Sequence, residues 1–85
     1  MSWSVELTQR AFRDLGNLDP AVARRVVAKL EQAAKDPLRF FARLVGSDDY
    51  KMRVGDYRVL ATLAHETKVI IIARIEHRSR VYARR

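Results

Sequence analysis

The run Val69-Ile70-Ile71-Ile72-Ala73 most constrains how this chain can fold. Consecutive β-branched side chains are stiff at χ1 and suit a pleated strand better than a helix. The run lacks apolar–polar alternation, so a strand from Lys68 to Ile75 needs cover on both faces and belongs at the centre of a sheet. It is far too short to span a bilayer. A chain of 85 residues has room for one sheet and one core, so residues 1–85 are expected to form a single domain.

The rest of the chain supplies partners for that strand. Trp3, Val5 and Leu7 alternate with Ser2, Ser4 and Glu6, a half-buried strand pattern. Thr8 is a plausible N-cap for a short helix carrying Ala11, Phe12 and Leu15. Gly16-Asn17 can end it in the left-handed conformation. Asp19-Pro20 is a second start signal, cap followed by Pro at the first helical position. Val22, Val26, Val27, Leu30 and Ala33 recur at helical spacing up to about Lys35, and Pro37 stops the helix. After the helices the period changes. Arg43 to Gly46 reads as a short strand, and Ser47-Asp48-Asp49 as a turn. Tyr50, Met52 and Val54 alternate with Lys51 and Arg53. Gly55-Asp56 and His65-Glu66-Thr67 are turns on either side of a strand from Tyr57 to Ala64. The tail from Glu76 is polar. Helices placed before a run of strands indicate an α+β fold: an N-terminal strand, a two-helix hairpin, then three to four antiparallel strands.

Charge follows the same division. The chain holds 17 Lys and Arg against 10 Asp and Glu, a formal +7. Residues 1–42 carry seven basic and five acidic residues, net +2; residues 43–85 carry ten and five, net +5. Such an excess points to nucleic acid or an acidic protein as partner. No cysteine is present, which removes disulfides, thiolate metal sites and a cysteine nucleophile. His65 and His77 lack metal-ligand spacing, and no glycine-rich phosphate loop or G-x-S-x-G occurs, so neither metal nor cofactor is expected. The opening residues carry no secretory signal pattern, so the cytoplasm is the expected compartment and no membrane partner is expected.

The remaining chemistry is cationic. Lys51 and Arg53 stand two apart on one strand and so share a face. If the following strands pair antiparallel, residues near 57 lie beside residues near 74. Arg58 and the segment Arg78 to Tyr82 then converge at one end of the sheet, unless a one-residue slip turns Arg58 away. Cations with an aromatic suit RNA cleavage by the substrate's own 2′-hydroxyl. That reaction needs no protein nucleophile, only in-line placement, neutralisation of the transition-state charge, and proton transfer. A lysine crowded by arginines has its charged form disfavoured, which favours a general-base role. Tyr82 can stack on a base or pack on the sheet edge; Tyr50 and Tyr57 read as core or edge residues.

Three segments carry a family resemblance. Tyr50-Lys51-Met52-Arg53, Gly55-Asp56-Tyr57-Arg58-Val59-Leu60 and Ile75-Glu76-His77-Arg78-Ser79-Arg80-Val81-Tyr82 together resemble the RelE/ParE toxin superfamily of toxin–antitoxin systems, nearest the RelE branch and its archaeal-type members. The resemblance implies a microbial-ribonuclease-like fold. It implies a metal-independent endoribonuclease that cuts mRNA in the ribosomal A site by 2′-hydroxyl attack, leaving a cyclic phosphate. It implies site roles too. Lys51 matches the family's first strand lysine, and Arg53 stands where a second basic residue is usual. Arg58 matches the arginine assigned to the transition-state phosphate, Arg78 the one assisting the leaving oxygen, and Tyr82 the tyrosine that orients or stacks on substrate. Arg80, Arg84, Arg85 and His77 are candidates for RNA contact. Arg53 replaces a lysine of the best-known member, and arginine is a poor base.

Two other readings share this fold: a ParE-like inhibitor of DNA gyrase without ribonuclease activity, and a basic binding module without catalysis. Lys51, Arg53, Arg58, Arg78 and Tyr82 together favour the ribonuclease, since an inhibitor has no need of that set. The expected partners are ribosome-bound mRNA, ribosomal RNA, and a cognate antitoxin whose acidic, partly disordered segment folds over the toxin. Leu38, Phe40 and Phe41 are candidate antitoxin contacts, although the two phenylalanines read first as ordinary core.

Overall fold

A computed structural model describes residues 2–79 of the chain. Its elements run β1 (Ser4–Leu7), α1 (Gln9–Gly16), α2 (Pro20–Ala33), α3 (Pro37–Phe40), β2 (Ala42–Arg43), β3 (Tyr50–Val54), β4 (Tyr57–Ala64) and β5 (Val69–His77). One five-stranded sheet has the order β1-β5-β4-β3-β2. The fold is α+β, as expected. β2 to β5 pair antiparallel in succession. β1 joins parallel to β5, with Ser4 beside Val69 and Leu7 beside Ile72, so the sheet is mixed. No helix among the described residues is long and apolar enough to cross a membrane.

Local chemistry explains the boundaries. Asp19 accepts the Ala21 N–H at 3.0 Å, and Pro20 opens α2. Asn17 ends α1 at φ −91°, within the right-handed region, rather than in the expected left-handed one. Its N–H reaches the carbonyls of Arg13 and Asp14, a tightened last turn that needs no left-handed residue. Pro37 stops the preceding helix but also starts α3, a single turn that the polarity pattern did not announce. The strand expected over Arg43 to Gly46 is only Ala42–Arg43. Leu44 instead bonds Asp49 across the turn at 2.9 Å, and Arg43 pairs with Asp48 at 2.8 Å.

The helices cover one face of the sheet. α1 packs on β5 and β1, and α2 on β3. Ile70, Ile72 and Ile75 meet Met52, Val59, Ala61, Leu63, Val26, Leu30 and Ala11 in the core. Phe12, expected to face inward, is 67% exposed, and Val27 lies at the helix margin. β5 is central in pairing, flanked by β1 and β4, but its two faces differ. Val69 and Ile71 are only half-buried, because the face away from the helices is open. The expectation of full cover therefore holds for one face only.

A bulge at Ala73 governs which residues reach that open face. Ala61 pairs with Ile72 but Leu60 with Arg74, so one extra residue sits in β5. Ile70 and Ile72 face the helices. Simple alternation would send Arg74 and Glu76 there too. The bulge turns Ile75 inward instead, where it is 3% exposed, and puts Arg74 and Glu76 on the open face.

β1 stops at Leu7, leaving the outer edge of β5 unpaired from the bulge onward. Two side chains take over. Thr8 Oγ1 lies 3.1 Å from the Ile72 and Ala73 carbonyl oxygens and accepts the Ala11 N–H at 3.1 Å. Asp14 Oδ2 accepts the Ile75 N–H at 3.0 Å. Thr8→Ala removes a helix cap and two edge contacts together, so it should cost about 1–2 kcal/mol. Thr8→Ser should recover most of that in urea unfolding. Equal midpoints for the Ala and Ser variants would show that the hydroxyl contributes nothing.

Candidate functional site

Strand parity builds a cationic surface on the open face. On β3, Lys51 and Arg53 are exposed while Met52 and Val54 are buried. Arg53 is the cross-strand partner of Arg58, and Arg58 in turn of Glu76. Leu60 lies between Lys51 and Arg74 in the next row. Of the convergence expected from sequence, Arg58 with Arg78 lies within the described residues and occurs, with a shift in partners: Tyr57 stands beside His77, not beside a residue near 74. Arg58 takes the open face, so the slip that would have hidden it is not found.

The Gly55-Asp56 turn brings in the last cation. Gly55 adopts φ +58°, a conformation that glycine accepts without strain, at the first position of a two-residue hairpin loop. The Asp56 carbonyl then accepts the Arg78 N–H at 2.9 Å, tying the segment after β5 to the turn. Lys51, Arg53, Arg58 and Arg78 line one pocket of about 350 Å³, together with Phe40, Ala42, Met52 and Tyr57. Lys29 of α2 sits 5.7 Å from the centre of the Phe40 ring, which holds this aromatic wall against the helix layer. Larger depressions of about 490 Å³ lie along the 43–48 loop and beside α1, but each gathers a single cation.

Four of the five expected catalytic residues therefore meet in one place. The fifth, Tyr82, lies outside the described residues, as do Arg80, Arg84 and Arg85. His77 is not in the cationic pocket. Its ring stands edge-on to Tyr57 at 5.0 Å, on the helix side of the sheet. Its Nδ1 accepts the Ser79 N–H at 3.2 Å and contacts Ser79 Oγ at 2.7 Å, and it borders a neighbouring pocket with Asp14 and Ile75. Leu38 is exposed, Phe40 half-buried in the pocket wall and Phe41 core, which matches the core reading for the last of them.

Some residues of the site were not singled out in the sequence. Arg74 and Glu76 share the open face with Arg58. Their period-two spacing was visible, but the bulge that assigns them to this face was not. Phe40 and Tyr57 line the pocket although their pattern reads as core. The carboxylate–arginine contacts are specific. Arg74 Nη2 lies 3.5 Å from Glu76 Oε1, and Arg74 Nε lies 3.7 Å from Asp14 Oδ2. The Nε atoms of Arg58 and Arg74 are buried without a hydrogen-bond partner among the described residues. A buried, unmatched N–H is costly to the fold.

Comparison with known proteins agrees with this architecture. Residues 5–82 match the family described as ParE toxin of type II toxin-antitoxin system, parDE. The chain is 32% identical over 89 residues to Toxin RelG of Mycobacterium tuberculosis, covering 99% of this chain and 100% of that protein. The toxin–antitoxin complex RelBE2 of the same organism contains a chain superposing with TM-score 0.86 at 30% identity, over 92% of this chain and all of that one. The archaeal RelE–RelB complex of Pyrococcus horikoshii gives a TM-score of 0.76 at 28% identity, over 94% and 99% of the two chains. A matched family spanning nearly the whole chain, relatives of equal length and a shared fold leave one assignment. The chain belongs to the RelE/ParE family of toxins of type II toxin–antitoxin systems.

Proposed function

We propose that this toxin is a metal-independent endoribonuclease that cuts mRNA in the A site of the ribosome. The observation that carries the reading is the gathering of Lys51, Arg53, Arg58 and Arg78 in a single pocket on an open sheet face. Single-stranded RNA can lie across such a face, while the cations clamp one phosphate. The substrate's 2′-oxygen forms the new bond to phosphorus as the bond from phosphorus to the 5′ oxygen breaks, leaving a 2′,3′-cyclic phosphate. Lys51, the lone lysine of the pocket, takes the 2′-hydroxyl proton in its neutral amine form. Arg53 and Arg58 neutralise the phosphorane-like transition state. Arg78 hydrogen-bonds the departing 5′ oxygen, which takes a proton from water. Tyr82 stacks on the neighbouring base. Arg80, Arg84 and Arg85 extend the contact to RNA.

In the silent state an antitoxin covers the toxin. A partner with an acidic, partly disordered segment complements the +7 chain and competes with RNA for it. The relatives caught as complexes with antitoxins support this partner.

A second reading has support from the ParE description of the matched family: inhibition of DNA gyrase without RNA cleavage. The deciding experiment adds purified toxin to translating ribosomes and maps message ends by primer extension, beside a gyrase supercoiling assay. New ends at A-site codons are expected, with supercoiling intact. Uncut message with blocked supercoiling would transfer the protein to the second reading. Salt gives an independent check. If the pocket cations meet one phosphate and Arg80, Arg84 and Arg85 one each, the log–log slope of RNA affinity against salt should be about −3, at roughly −0.7 per phosphate for single strands. A flat response removes RNA as the ligand.

A further inference from the structure

His77 lies outside the cationic pocket, yet its ring is held at two points. Across the ladder it stands edge-on to Tyr57, its register partner on β4, with ring centres 5.0 Å apart. Along the chain its Nδ1 accepts the Ser79 N–H at 3.2 Å and contacts Ser79 Oγ at 2.7 Å. A backbone N–H can only donate, so Nδ1 carries no proton. The ring is therefore neutral, with its proton on Nε2.

Its place in the chain explains the contact. β5 ends at His77, and Arg78 and Ser79 take up helical backbone. His77 thus precedes the first helical residue and accepts the N–H of the second, which is the geometry of a helix N-cap. Asparagine is favoured at such a position, and histidine Nδ1 stands as many bonds from the backbone as asparagine Oδ1. The Arg78 N–H, which this cap leaves free, goes to the Asp56 carbonyl at 2.9 Å. Arg78 therefore enters the pocket from a backbone fixed on both sides: Asp56 holds its own N–H, and the His77 ring holds the next one. No carboxylate among the described residues pairs with Arg78, so the backbone is what places it.

We propose that His77 is a positioning residue: its neutral ring caps the turn that begins at Arg78 and so sets the backbone from which Arg78 reaches the departing 5′ oxygen. The catalytic consequence rests on the ribonuclease reading above. In-line cleavage depends on the placement of each group, whereas attraction of RNA needs only charge. Loss of the cap should therefore slow the reaction and spare binding, a split that loss of structure does not produce.

Two variants separate the ring from its acceptor. His77→Phe keeps a ring beside Tyr57 and removes Nδ1. His77→Asn gives up the ring and keeps an acceptor at the same reach. In His77→Phe the single-turnover cleavage rate should fall on the order of tenfold, because small misplacements of a catalytic group have effects of this size or more. RNA affinity should hold, since no charge changes. His77→Asn should recover most of the rate, and on an Arg78→Ala background His77→Phe should slow cleavage no further. A wild-type rate in His77→Phe, a parallel loss of RNA affinity, a rate in His77→Asn as low as in His77→Phe, or an equal slowing in both backgrounds overturns the proposal. If the wild type cuts no ribosome-bound message, the ribonuclease reading fails by itself. The cap is then decided by NMR at neutral pH. The ring nitrogens of His77 should show a bare Nδ1 and a protonated Nε2. The Ser79 amide should exchange with solvent faster in His77→Phe than in the wild type or His77→Asn. A proton on Nδ1, or unchanged Ser79 exchange in His77→Phe, overturns the claim whatever the activity. Should His77→Phe fail to fold, His77→Gln moves the acceptor away from the Ser79 N–H and is read by the same measurements, with the same outcomes deciding.

Discussion

On the ribonuclease reading, Arg58→Ala should lower the cleavage rate of ribosome-bound message by a factor of roughly 10²–10³, the usual loss when one preorganised stabiliser of a transition-state charge is removed. Stability changes little. Arg58 stands directly opposite Arg53, and like charges across a ladder repel. Its Nε is buried without a hydrogen-bond partner among the described residues, so truncation also relieves a desolvation cost. Against these gains stands the lost packing of its half-buried stem. The terms nearly cancel, and the thermal midpoint should stay close to that of the wild type. Arg58→Lys retains the charge but not the planar fork, so it should recover binding more than rate. The measurement is single-turnover primer extension at saturating ribosome complex, beside thermal unfolding. A rate within about threefold of wild type, under 1 kcal/mol of barrier, would falsify a transition-state role for Arg58.

The sequence carried most of this site because strand chemistry repeats simply. Lys51 and Arg53 share a face by period two, and the Gly55-Asp56 turn fixes how β3 returns as β4. Those two facts alone place Arg58 beside Arg53. The fold class was legible for a similar reason: Asp19-Pro20 and Thr8 are caps with a physical mechanism, and the Val/Ile run cannot be anything but an interior strand. What the sequence did not show depends on contacts between distant segments. Nothing local in Ser4 to Leu7 says that β1 will run parallel to β5. Nothing in Ile72-Ala73-Arg74 marks the bulge, since an alanine fits a bulge and a regular strand equally well. Arg74 and Glu76 were therefore legible as charges but not as members of the site. Phe12 shows the converse. Its spacing on α1 is that of a core residue, but α1 is short and lies at the sheet edge, so the available surface ends before reaching it.

Ile72→Ala should be the most damaging single truncation in the core. Ile72 is fully buried, lies between Leu7 on β1 and Ala61 on β4, and offers the carbonyl that Thr8 binds. Its neighbour across the ladder is already alanine, so little side chain is available to fill the space. The cost should be about 3–5 kcal/mol, the upper part of the range for truncating a buried aliphatic side chain. A domain of this size has a total stability of roughly 4–13 kcal/mol, so the variant will be partly unfolded at ordinary temperature if the true value is at the low end. Its midpoint should fall by roughly 15–30 °C. Ile71→Ala is the control one residue away. Ile71 points to the open face beside Glu6 and Thr62 and is only half-buried, so its truncation should cost about 1 kcal/mol. Urea unfolding of both variants compares the two faces of β5 directly. Equal losses would mean that the alternation upstream of the bulge is wrong. Since the parity of Arg74 and Glu76 is counted from that same bulge, their place beside Arg58 would fall with it.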